Sequence, residues 1–309
     1  VKPANSVLLL TTLTGFGYGL LAWIGLFAAF GVLPAAPYFG PVGIVVALLF
    51  ASAGLLASSL HLGRPERAWR AFSQWRSSWL SREGVAALLT YPPALLFAIF
   101  WLFSGEAAAS TKIFGLLAGA LGMVTVCCTA MIYASLKPIR QWNNKHTAPD
   151  YFAFALFSGA SLLTLLLAFW DAAEIAASLT IALAIIAALA KYAYWRFIDN
   201  QPPLATLASA TGLSSYGTVR PLDQPHFTEN YILREMGYQL ARKHAAKLRR
   251  IVLILAFAMP GLLAAAVAFG CLPVAAALAG VLCASLGLFI ERWLFFAEAT
   301  HVATLYYGR

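Results

Sequence analysis

The side chains best suited to chemistry are concentrated in His61-Leu-Gly-Arg-Pro-Glu-Arg-Ala-Trp-Arg-Ala-Phe72 and the stretch after it, Ser77-Ser-Trp-Leu-Ser-Arg-Glu83. Histidine titrates near neutral pH, a carboxylate can pass protons on, and arginines are permanent hydrogen-bond donors. Together they suit a lipid-soluble molecule that gains and loses protons. A quinone fits, because each carbonyl needs a donor and two-electron reduction takes up two protons. His61 and Glu83 are the expected catalytic pair, with His61 bonded to a carbonyl and Glu83 relaying protons. Arg67 would orient the headgroup or join the relay, and Arg64 lies beside it. A blander reading fits the same residue types. The arginines would reach lipid phosphates, Trp69, Phe72, Trp75 and Trp79 would form an aromatic belt, and Glu83 would be solvated.

Three further segments carry polar chemistry. Tyr133, near the end of an apolar run that Pro138 closes, is a possible donor at the membrane edge, although alone it reads as an ordinary helix end. Glu291 and Arg292 are ionisable groups at or inside the membrane, which makes them functional suspects by default. They are adjacent, but neighbouring helix positions point about 100° apart, so other partners are expected; Arg292 is expected to face the His61 region. The long stretch 195–250 contains a Pro-, Ser-, Thr- and Gly-rich part, then a helical pattern from Thr228 to Arg250 with Ile232, Met236, Gln239 and Lys243 on one face. Its basic end, Arg242 to Arg250, is explained by anionic lipid. The rest reads as a docking surface for a soluble subunit, since long irregular loops are uncommon without a function.

Absent patterns narrow the choice. None of His61, His146, His226, His244 and His301 is expected in mid-membrane, so no haem is expected. Cys127, Cys128, Cys271 and Cys283 lack metal-site spacing, so no iron–sulfur cluster or other metal is expected on this chain. No nucleotide-binding loop is present, no inverted repeat with broken helices suggests a transporter, and no nucleic-acid partner is expected.

The elements that must hold these residues are membrane spans. Of 309 residues, 61% are hydrophobic and 11% charged, against roughly 25% charged in soluble domains. A span needs about 20 largely apolar residues. Eight runs qualify, at about 7–30, 41–60, 84–103, 112–136, 151–170, 173–194, 251–270 and 273–296. The expected fold is therefore all-α, a single bundle of eight transmembrane helices over 1–309. The tight links Asp171-Ala172 and Cys271-Leu272 each join an antiparallel pair. The short segment Val1–Ser6 followed by a full-length span does not read as a removable leader. Of 21 Lys and Arg residues, 20 fall on the side of the termini and large loops, leaving Lys112 opposite. The positive-inside rule then places that side in the cytoplasm.

At His61-Leu-Gly-x-Pro-x-Arg67 and Leu80-Ser-x-Glu83 the sequence resembles the membrane-anchor subunits of the DMSO reductase (DmsC-like) family. The resemblance extends to Tyr133 with Trp142, and to Glu291 and Arg292, over the same eight-span plan. It implies an anchor that binds quinone as substrate, ubiquinone or menaquinone, and holds no redox cofactor itself. It also implies partners: an iron–sulfur subunit on the large loops and, through it, a molybdopterin catalytic subunit. The residues matching His61 and Glu83 are associated with that family's quinol site. The sequence departs from some members at Met131, where they carry Arg. Its loop with Ala210-Thr-Gly-Leu, Pro225-His-Phe-Thr-Glu-Asn-Tyr231 and Ala241 to Arg249 is similar to the branch serving quinone-linked sulfite dehydrogenases. The expected function is thus to pass electrons from cytoplasmic sulfite oxidation to the quinone pool. A quinol-oxidising anchor of a DMSO, tetrathionate or thiosulfate reductase and a non-redox membrane carrier remain the alternatives.

Overall fold

The computed structural model describes residues 1–59, 64–223 and 240–307. Among the described residues, eight helices are long and apolar enough to cross a membrane: α1 (Asn5–Phe30), α2 (Phe39–Ser59), α3 (Trp79–Ser104), α4 (Ala109–Ala134), α5 (Thr147–Ala168), α6 (Glu174–Asp199), α7 (His244–Ala268) and α8 (Pro273–Ala297). Among the described residues there is no strand beyond one isolated bridge between Ile139 and His301. The chain is thus a multi-pass, all-helical membrane protein, as its composition requires. In hydrocarbon the helix is a fold that satisfies every backbone polar group within one segment.

The two halves, α1–α4 and α5–α8, meet along α1 and α5, the most buried helices of the eight. α1 packs on α2, α4, α5 and α8, and α5 packs on α1, α4, α6 and α8. At the α1–α5 crossing a Cβ on Gly19 would fall inside the Ala155 carbonyl, and one on Gly159 inside the backbone of Gly19. Small residues serve this purpose in lipid, where close backbone packing replaces hydrophobic drive. The hairpin turns are tight, and Asp171 and Leu272 take left-handed backbone conformations to close them.

Two of the departures from regular α-helix among the described residues bear on the site. The helix that leads into α7 is α-helical from Leu240 to Val252, widens to a π turn over Leu253–Ala258, and resumes at Met259. Met259 N–H donates to Ile254 O, five residues back, and Pro260, which lacks an N–H, follows at once. Gly287 of α8 sits against Ala256 of that turn, where a side chain could not fit. The second departure is a 3-10 helix, Pro65–Gln74, ahead of α3. With three residues per turn its i and i+3 side chains eclipse, so Arg64, Arg67 and Arg70 line one edge. Ser81 bonds the Ala71 carbonyl, and Phe72 packs over Gly84, which fixes this segment across the start of α3.

Candidate functional site

The connectivity puts the starts of α1, α3, α5 and α7 and the ends of α2, α4, α6 and α8 at one end of the bundle. Both chain ends meet there: the Val1 amino group donates to Ala299 O at 2.7 Å, and Val302 N–H donates to Pro138 O. The described residues that the sequence singles out lie at this end, but not in one cluster.

His61 lies outside the described residues, so the expected proximity of Arg292 to the His61 region does too. Arg64 and Arg67 belong to the surface 3-10 segment and its edge, where Arg64 is exposed. The apolar pattern puts Glu83 at the mouth of a span starting at 84, but α3 begins at Trp79, and Glu83 sits in its second turn, 5% exposed. Thr129 of α4 donates to Glu83 Oε1 at 2.5 Å, and the same hydroxyl lies 3.0 Å from the Thr125 carbonyl. Among the described residues no cation pairs with Glu83. A buried carboxyl held by a single hydroxyl can serve in either protonation state. As a carboxylate it accepts from Thr129, and as an acid it donates to Thr129, which then donates to Thr125 O.

Tyr133 belongs to an aromatic cluster. Its ring lies 5.3 Å from Trp142 and 6.0 Å from Tyr151, and Phe295 and Phe296 close the group. Trp142 Nε1 donates to Phe295 O at 2.9 Å, which ties the α4–α5 link to α8. The pairing of Tyr133 with Trp142, nine residues apart in sequence, is therefore a direct contact.

Arg292 leads to a feature that sequence reasoning misses. Its Nε donates to Glu291 Oε2 at 2.5 Å, and its guanidinium lies 4.4 Å from the Tyr151 ring centre and 5.0 Å from that of Phe154. Neighbours on a helix diverge, yet these two side chains meet. Glu291 also has the expected further partner, Lys191 of α6, whose Nζ is 2.5 Å from Oε1. Lys191 is wholly buried, stands 3.7 Å from Asp150 Oδ2 of α5, and lies 3.9 Å from the centre of the Tyr194 ring. The four charges sum to zero, as buried ions in a low dielectric must come close to doing. A signal for Lys191 exists in the sequence, since a lysine inside the 173–194 run is suspect on the same grounds as Glu291. Asp150 carries none, one residue outside its expected span.

Nearer the surface, Arg249 of α7 clamps two other helices. It is bidentate to Asp199 at 2.6 and 3.0 Å and reaches Glu298 at 2.9 Å. Burial pushes the Glu298 carboxyl above the usual range, with the Arg249 guanidinium opposing. Both ends of the 200–243 connection are thereby fixed to the bundle. Of that connection, the structure describes a short helix at Leu207–Thr211, capped by Thr206 and Ser209, and a turn at Ser214–Tyr216. Ile232, Met236 and Gln239 of the expected docking face lie outside the described residues.

The sequence matches the family described as DMSO reductase anchor subunit (DmsC) over residues 8–308. It is 35% identical to a subunit of the sulfite dehydrogenase of Allochromatium vinosum over 99% of both chains. It is also 28% identical to anaerobic dimethyl sulfoxide reductase chain YnfH of Escherichia coli (strain K12), over 40% of this chain and 44% of that one.

Proposed function

Since the chain belongs to the DMSO reductase anchor subunit (DmsC) family, we propose that it is the quinone-reactive membrane subunit of a molybdopterin and iron–sulfur oxidoreductase. It passes electrons from sulfite oxidation in the cytoplasm to the quinone pool of the inner membrane. Similarity along its whole length to a sulfite dehydrogenase subunit supports the substrate. The large connections at 61–83, 137–150 and 195–250 face the cytoplasm in this reading, where positive charge collects. The iron–sulfur subunit docks there, over the 195–250 connection, and the molybdopterin subunit binds through it.

The observation that carries the quinone assignment is Glu83, a buried carboxyl with Thr129 as its hydrogen-bond partner and no counter-charge among the described residues. A carboxyl so placed can give its proton to a carbonyl oxygen as electrons arrive and recover it afterwards. His61 donates to a quinone carbonyl, and Arg64 and Arg67 on the surface segment steer the headgroup toward it. Tyr133 and Arg292 act one layer below. Sulfite and water yield sulfate, two electrons and two protons on the partner subunit, and quinone takes up two of each.

Replacement of His61 in the purified complex tests this. Quinone reduction is expected to vanish while sulfite oxidation with an artificial acceptor continues; surviving quinone turnover overturns the site assignment. The partial similarity to a DMSO reductase chain favours a second reading, a quinol-oxidising anchor for a reductase. Co-purification of a catalytic subunit with a twin-arginine export signal distinguishes it.

A further inference from the structure

A cavity of about 20 Å³ lies where α1, α4, α5 and α8 meet. One water needs roughly 10–15 Å³, so it has room for a water. Thr12, Thr129, Tyr151 and Arg292 stand on its walls. Three buried atoms on these residues, Thr12 Oγ1, Tyr151 OH and Arg292 Nη2, lack a well-formed hydrogen bond among the described residues, although the Tyr151 hydroxyl lies close enough to the Arg292 guanidinium to interact with it. Buried polar groups are almost always satisfied, and a buried water typically makes about three hydrogen bonds. The fourth wall residue, Thr129, is the hydrogen-bond partner of Glu83.

We propose that this cavity binds one water, held by Thr12, Tyr151 and Arg292, and that the water and Thr129 link Arg292 to Glu83 as its counter-charge. The inference rests on reading Glu83 as the carboxyl that gives up a proton to the quinone. When it does so, a chain of donors can align. Arg292 Nη2–H donates to the water, the water to Thr129 Oγ1, and Thr129 to the Glu83 carboxylate. Arginine can only donate, so the chain has one polarity and suits the anion. When Glu83 recovers its proton, Thr129 turns back to Thr125 O, 3.0 Å away. No proton leaves Arg292; the groups reorient and the charge is stabilised. Thr12, Tyr151 and Arg292 are thus positioning residues, and Glu291, itself bridged to Lys191, holds Arg292 in place.

Two independent measurements test this in the complete complex. A density map that resolves waters is expected to show a peak bonded to Thr12, Tyr151 and Arg292; an empty or apolar-filled cavity overturns the proposal. In turnover, Thr12→Val with Tyr151→Phe removes two hydroxyls while keeping the four charged groups and the aromatic ring under Arg292. We expect quinone-linked kcat to fall about tenfold, a modest share of what positioned acid–base groups supply, with KM and artificial-acceptor activity unchanged. The solvent isotope effect on quinone reduction should rise, and Thr12→Ser should restore the rate where Thr12→Val does not. If Glu83→Gln abolishes quinone reduction but the double variant keeps both rate and isotope effect, the water link is wrong and the quinone site stands. If wild-type complex reduces no quinone, the functional reading fails, and the density map still decides whether the cavity holds water.

Discussion

The Lys191 ammonium on α6 lies 2.5 Å from the Glu291 carboxylate on α8, and neither side chain reaches the surface. With Asp150 and Arg292 completing a neutral quartet, removal of one member leaves a charge in a medium that cannot solvate it.

Lys191→Met is therefore expected to destabilise the folded chain by about 3–5 kcal/mol, the usual effect of breaking a buried pair. Asp150→Asn added to it restores neutrality and should recover much of that loss. Thermal unfolding of the detergent-solubilised protein reads both. An additive double variant, worse than either single one, would mean that the charges do not act as a unit.

Glu83→Gln keeps the size of the side chain and a donor but removes the transferable proton. Quinone-linked turnover is expected to drop about a hundredfold or more, within the range of acid–base contributions. Activity with an artificial acceptor, which needs no quinone, should not change. Parallel loss of both activities would point to failed assembly.

Arg249 and Glu298 give a pH prediction. The Glu298 carboxyl is raised by burial more than the Arg249 guanidinium lowers it. A raised carboxyl binds its proton more tightly in the folded state. Its contribution to stability is thus fully present below the unfolded pKa and is lost as pH rises through the folded one. Glu298→Gln should therefore flatten the pH dependence of the melting temperature over that window without destabilising the protein at neutral pH. Arg249→Ala should expose the 200–243 connection to limited proteolysis, and Arg249→Lys should not rescue it, because a lysine cannot make the bidentate bond to Asp199.

The α1–α5 crossing has no room for a methyl group. Gly19→Ala or Gly159→Ala is expected to cost about 1–3 kcal/mol through overpacking, seen as a lower melting temperature and a smaller monodisperse fraction in detergent. Gly31→Ala, at the free end of α1 where nothing lies within 4 Å, should keep the bundle packed and bear only the strain of its left-handed backbone.

Residue order suffices for the class, the eight apolar helices and the collection of positive charge on the connections at one end, because span length and polarity are local properties. It also flags Glu83, Tyr133, Glu291 and Arg292, since polar groups stand out against an apolar background. Only the packed bundle reveals that Asp150 and Lys191 complete a neutral quartet, that Thr129 is the partner of Glu83, and that Tyr133 and Arg292 meet on Tyr151. The reason is the solvent. In water a helix shows its inward face as an apolar stripe, but in lipid the inward and outward faces are nearly alike, so periodicity does not tell which residues face each other. Those meetings are set by where small residues such as Gly19, Gly159 and Gly287 let the backbones approach, and that is a property of helix pairs.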